Sequence, residues 1–100
     1  MQDTRVPIDR ATIMTTIVST LENLVQDWDI EEPITSKTRV VADLGFESID
    51  LIQMVAALEH AFRLKGSSLV AMLVVDGRYV DDLTVEQVTD DVERRIGKMA

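Results

Sequence analysis

The stretch Asp43-Leu44-Gly45-Phe46-Glu47-Ser48-Ile49-Asp50-Leu51 joins a glycine turn to a strongly amphipathic helix. That helix opens at Ser48 and runs to about Phe62 or Arg63. With side chains turning about 100° per residue, Leu51, Val55, Leu58 and Phe62 share one face, with Met54 at its edge. This is a core stripe. Ile49, Ile52 and Ala56 fall on nearly the opposite side, beside Gln53, His60 and Arg63. A helix with one core stripe does not need a second apolar strip. These residues are ordinary exposed aliphatics or are covered by a loop, or else they form a small docking surface for partners.

Before the turn, Ile13, Met14, Ile17, Val18, Leu21, Leu24, Val25 and Trp28 recur at spacings of three and four. The pattern predicts an amphipathic helix over about residues 10–27, with Asp9 as its N-cap and Trp28 as a core residue at its end. Residues 1–8 read as a frayed start. Asp29 to Glu47 reads as a long loop, packed down by Ile30, Ile34, Val40, Val41, Leu44 and Phe46.

After the second helix, Gly66-Ser67-Ser68 breaks the pattern. Leu69 to Val75 is either a strand entering a hairpin through Asp76-Gly77 or, over Ser68 to Leu73, a short helix. Thr84 with Gln87 three residues on makes a capping box for a last helix, whose stripe is Val85, Val88, Val92 and Ile96. Arg94, Arg95 and Lys98 lie near its C-terminal end, where cations are favoured. The expected fold is all-α: one domain over residues 1–100, a small bundle of three main helices with a short helix or irregular segment before the last.

The 100 residues are 46% hydrophobic and only 4% aromatic, so the core is aliphatic. A chain of this length buries roughly two-thirds of its unfolded surface and needs no staples. It has no cysteine, which excludes disulfides, thiolate metal sites and a catalytic thiol. His60 is the single histidine, a poor basis for a zinc site. Eighteen acidic against ten basic residues give a net charge of −8. Such a surface repels phosphate backbones and anionic lipid, so neither nucleic acid nor membrane is an expected partner. A basic partner surface would suit it. With no bilayer-spanning apolar run and no secretory segment, a soluble cytoplasmic domain is expected.

Catalytic constellations are missing. If Ser48 and His60 share one helix they stand roughly 18 Å apart along its axis, too far for a dyad. The glycines are isolated, so no phosphate loop forms. The run Asp27-Trp28-Asp29-Ile30-Glu31-Glu32 begins like a calcium loop, but it has Glu32 where glycine is needed and Thr38 where glutamate is needed. It reads as a solvated acidic turn, and no metal site is expected. Ser48 is an exposed hydroxyl at or near an N-cap, beside free N–H groups and the positive end of a helix dipole. It is either a plain cap or the anchor of an attached anion such as a phosphodiester.

In its wider setting the segment resembles the attachment motif of acyl carrier proteins, in which an Asp-Ser-Leu core follows a Leu-Gly turn. Here that core is Glu47-Ser48-Ile49, two conservative departures. The resemblance covers most of the chain. It includes the first helix, the loop ending in Asp43-Leu44-Gly45, the helix closing in Ala57-Leu58-Glu59-His60-Ala61-Phe62, and Leu83-Thr84-Val85 before the final helix. It implies that a phosphopantetheinyl transferase modifies Ser48 with the 4'-phosphopantetheine of coenzyme A, whose thiol then holds an acyl group as a thioester. The lack of cysteine fits, because the cofactor supplies the sulfur.

The implied protein is a monomeric, non-catalytic carrier. It presents tethered intermediates to acyl-loading and acyl-processing enzymes of fatty-acid, polyketide or related secondary metabolism. Docking residues implied by position are Glu47, Asp50 and Glu59, together with Ile49, Ile52 and Ala56. The chain departs from strongly acidic members of the family at Gln53, His60 and Ala61, and its stretch between Phe62 and Thr84 is longer than in the simplest members. A peptidyl or aryl carrier is the neighbouring reading. A helical interaction module with no prosthetic group is the reading from another class.

Overall fold

A computed structural model describes residues 9–64 and 68–99, with the backbone alone for Ser68 and residues 97–99. The expected frayed start and the Gly66-Ser67 break lie outside the described residues.

Three α-helices form the frame: α1 over Arg10–Leu24, α2 over Ser48–Ala61 and α3 over Val85–Met99. Asp9 caps α1 as its sequence predicts, its Oδ1 accepting the Thr12 N–H at 2.8 Å. The helix ends at Leu24, before the expected boundary, and the chain then turns through Val25. Trp28 consequently leaves the phase of the α1 stripe. It is 37% exposed rather than core, and it stacks edge-on against Phe46 with ring centroids 5.5 Å apart.

α2 closes with a Schellman arrangement. Arg63 takes a left-handed φ of 57°, the Arg63 N–H donates to His60 O at 3.2 Å, and the Leu64 N–H donates to Glu59 O at 2.8 Å. α3 begins with the expected capping box. The Thr84 N–H donates to Gln87 Oε1 at 2.8 Å, and the Gln87 N–H donates to Thr84 Oγ1 at 3.1 Å.

Between α2 and α3 both alternatives for the connection occur in succession. A 3-10 helix over Ser68–Leu73 places Leu69, Met72 and Leu73 in the core. An antiparallel hairpin follows, β1 (Val74–Val75) pairing with β2 (Arg78–Tyr79), so the described chain is mostly helical, as expected, with one small two-stranded sheet added. Its two-residue turn has Asp76 at φ 55° and Gly77 at φ 77°, the left-handed pair that tight hairpins need.

The core runs through all these elements. Ile13, Ile17 and Leu21 of α1, Met54, Val55 and Leu58 of α2, and Val85, Val88 and Val92 of α3 are buried. α1 packs against both other α-helices, and the 3-10 helix packs against α2 and α3. Because α2 is closed on two sides, its buried stripe is wider than one neighbour requires. Met54, expected at the edge, is fully buried, whereas Leu51 and Phe62, in the terminal turns, are only partly covered. The buried Thr89 hydroxyl donates to Val85 O at 2.8 Å. Asp91 is buried between Arg94 and Arg95, which therefore pair with it rather than only facing the helix end. Arg10 ties the start of α1 to Asp90 and Glu93 of α3. Among the described residues no helix is long and apolar enough to cross a membrane.

Candidate functional site

The segment between α1 and α2 has no regular element of its own, yet it is anchored. Val40, Leu44 and Phe46 are buried in the core. Residues 40–44 form a helical turn, with the Asp43 N–H donating to Arg39 O at 2.9 Å and the Gly45 N–H to Val41 O at 3.0 Å. Gly45 then takes a φ of 80°, and apart from its two chain neighbours no atom lies within 4 Å of where a Cβ would stand. The left-handed backbone, not crowding, is what calls for glycine there. It reverses the chain, and the Phe46 N–H donates back to Val40 O at 3.0 Å.

Phe46 is the last buried residue before α2. Glu47 is extended, with φ −102° and ψ 179°, and holds the cap position. Its N–H donates to Asp50 Oδ2 at 2.8 Å, the return half of a capping box. Ser48 is therefore the first helical residue, one place inside the cap. Its side chain is exposed, and among the described residues no hydrogen bond engages its hydroxyl. The N–H groups of Ser48 and Ile49 head the helix without a backbone acceptor among the described residues, which leaves donors and the positive dipole end beside the hydroxyl. The plain-cap alternative for Ser48 thus loses its physical reason, because Glu47 and Asp50 do that work.

Two further carboxylates brace the turn, Asp43 from within it and Asp82 from outside. Asp43 accepts the Arg39 N–H at 2.7 Å and pairs with the Arg39 guanidinium at 3.2 Å. The main-chain N–H and then the guanidinium of Arg39 hold the Asp43 carboxyl below its ordinary range. Asp82, between the hairpin and α3, accepts the Val41 and Leu83 N–H groups on Oδ1, each at 2.8 Å, and the Ala42 N–H on Oδ2 at 3.0 Å. A main-chain seam runs alongside. The Val40 N–H donates to Leu83 O, the Val85 N–H to Thr38 O and the Glu86 N–H to Ser36 O, all within 3.0 Å, and Arg39 bridges Thr84. Asp82 was not legible as part of the site. An Asp ahead of a helix is a common local pattern, and nothing in it names partners 41 and 40 residues away.

The remaining candidates divide. Glu47, Ile49, Ile52 and Ala56 are exposed, with Ile49 at 57% and Ile52 at 49%, so the loop does not cover the second apolar strip of α2. Asp50 is half-buried and occupied with the cap. Glu59 is also half-buried and accepts the Leu69 N–H at 3.3 Å, which fastens the 3-10 helix to α2. His60 is exposed at the far end of α2 from Ser48. The acidic residues Asp27, Asp29, Glu31 and Glu32 are exposed, and no group of three or more potential metal ligands occurs among the described residues. Comparison with family models, curated proteins and solved structures returns no match.

Proposed function

We propose that this chain is an acyl carrier protein that bears 4'-phosphopantetheine on Ser48. The observation that carries the reading is the Ser48 hydroxyl, exposed at the head of α2 and free of capping duty, one residue after a turn fixed by Gly45 and Phe46. The surroundings suit a phosphodiester there. The free N–H groups of Ser48 and Ile49 point the right sign of charge at it, and no side chain encloses the hydroxyl. When attached, the group supplies a terminal thiol that holds an acyl chain as a thioester.

The residues of this chain act as support. Gly45 sets the direction of approach, Phe46 anchors the turn, and the Asp50 carboxylate fixes Glu47. In the loading step Ser48 Oγ forms a new bond to the phosphorus next to the pantetheine, and the pyrophosphate linkage of coenzyme A breaks. The nucleoside bisphosphate leaves, and a base of the transferase takes the hydroxyl proton. The exposed Ile49, Ile52 and Ala56, flanked by Glu47, give transferase, acyl-loading and acyl-processing enzymes an apolar strip with an acidic edge. The chain contributes no chemistry of its own. Its service is effective concentration, in fatty-acid, polyketide or related secondary metabolism.

The test is intact mass after incubation with coenzyme A and a broad-specificity phosphopantetheinyl transferase. A carrier gains one phosphopantetheine, and Ser48→Ala gains none. An unmodified wild-type chain rejects the reading in favour of a helical interaction module. Loading with an amino acid or an aryl acid in preference to acyl groups would move it to the peptidyl or aryl carriers.

A further inference from the structure

We infer that Asp82 is a positioning residue for Ser48, holding the turn that delivers it from a point just ahead of α3 in the chain. The inference rests on the carrier reading of Ser48. Asp82 lies just after the hairpin, and its carboxylate reaches the main chain of residues 41 and 42 across separations of 41 and 40 residues. Those two N–H groups open the helical turn of residues 40–44, where a short helical segment has no acceptors of its own. One carboxylate supplies both, at 2.8 and 3.0 Å. The same Oδ1 takes the Leu83 N–H, so the carboxylate is pinned to its own backbone as well. All three bonds are charge-assisted.

Asp82 has no other engagement among the described residues. Among the described residues no ion pair within 4 Å takes it, although the Arg39 guanidinium is near enough to feel its charge. A half-buried carboxylate spent wholly on main-chain donors acts as a clamp. What it clamps leads directly to Ser48. Val41 O receives the Gly45 N–H, Val40 O receives the Phe46 N–H, and Phe46 is the anchor from which Glu47 and Ser48 extend. Release of residues 41 and 42 frees the start of the turn, and the hydroxyl then samples a spread of positions. A transferase must align Oγ with the phosphorus it attacks, and small misplacements cost large factors in rate. The docking strip of Ile49, Ile52 and Ala56 is borne by α2 itself and is untouched by that release. The loss therefore falls on kcat of Ser48 modification, with KM for the carrier preserved.

The test measures Ser48 modification kinetics by mass, together with amide exchange and far-UV circular dichroism, on the full chain. Asp82→Ala is expected to lower kcat about tenfold and leave KM within about twofold. It should lose exchange protection at Val41 and Ala42 while keeping its helical signal. Asp82→Asn keeps one acceptor oxygen but turns a donor toward the other N–H, and should fall between. Asp81→Ala removes the same charge from an exposed neighbour and should match wild type. Should Asp82→Ala lose its helical signal, Asp82→Asn is judged by the same two readouts. Protected amides at 41 and 42, or an unchanged kcat in a folded variant, overturn the inference and leave the carrier reading standing. A wild-type chain that takes up no phosphopantetheine overturns the carrier reading, and this inference with it.

Discussion

Gly45 and Gly77 offer a matched pair. Their φ angles are 80° and 77°, and in neither case does any atom beyond the two chain neighbours lie within 4 Å of a Cβ built on the backbone. An L-residue in the left-handed region costs about 1–2 kcal/mol. Alanine also restricts the unfolded chain more than glycine does, which offsets roughly 0.4–1 kcal/mol. With no steric term to add, Gly45→Ala and Gly77→Ala should each destabilise by about 1 kcal/mol. For a domain of this size that lowers Tm by about 4–8 °C in a thermal melt followed by far-UV circular dichroism. Function should separate what stability does not. Gly45 orients the turn ahead of Ser48, whereas Gly77 sits in the hairpin. On the carrier reading, Gly45→Ala should therefore slow Ser48 modification, and Gly77→Ala should leave it at the wild-type rate. Gly45→Asn should recover part of both losses, because asparagine tolerates the left-handed region better. Equal slowing by both alanine variants would refute the reasoning, since global stability would then control the rate. So would a loss above about 3 kcal/mol at Gly45, which would require a collision the empty surroundings do not contain.

Two more perturbations probe separate parts of the chain. Ile52 and Met54 are two residues apart on α2, yet Ile52 is 49% exposed and Met54 is at 0%. Ile52→Asp should change stability by less than about 0.5 kcal/mol and weaken use by partner enzymes in a coupled acyl-loading assay, whereas Met54→Ala should cost about 2–5 kcal/mol in urea unfolding. The Asp43 carboxyl titrates below its ordinary value of 3.8 because of the Arg39 N–H and guanidinium. A carboxylate with a lowered folded-state pKa stabilises fully above its unfolded pKa and loses that contribution as pH falls through the folded one. In urea midpoints taken from neutral pH downward, the gap between wild type and Asp43→Asn should hold steady until the ordinary carboxylate range and close below it. A gap that widens on acidification would contradict the assigned direction.

Local physics was readable where local physics decides. The Asp9 cap, the Ile13–Ile17–Leu21 face of α1 and the Thr84–Gln87 box are settled within a few residues and take their expected form, and the Asp76-Gly77 turn takes one of the two forms its residues allow. The Leu69–Val75 run defied a single assignment because it answers two demands in turn. Leu69, Met72 and Leu73 recur at helical spacing and are buried, while Val74 and Val75 are exposed and pair with Tyr79 and Arg78. Trp28 lies outside the core because α1 ends at Leu24, and an early helix end shifts the phase of everything after it. At Ser48 the residue type suggested a cap, and only the Asp50 bond to the Glu47 N–H reveals that the cap lies one place earlier. The Asp82 clamp belongs to neither class, since its partners are set by tertiary approach and carry no periodic signal.

The turn before Ser48 is held in two ways that fail under different conditions. Val40, Leu44 and Phe46 tie it to the common core, and exposing them means opening the whole domain. The Asp82 carboxylate and the seam to Leu83, Thr84 and Val85 tie it to the start of α3, and breaking those bonds exposes little apolar surface. Local opening should therefore need less free energy than global unfolding. It follows that a defect in the α1 stripe at Ile13 or Ile17 weakens both states of the turn together, and lowers Tm without a selective effect on Ser48. A defect in the seam shifts the turn alone. The order of the turn before Ser48 is thus set from the beginning of α3 as well as from the common core that α1 shares.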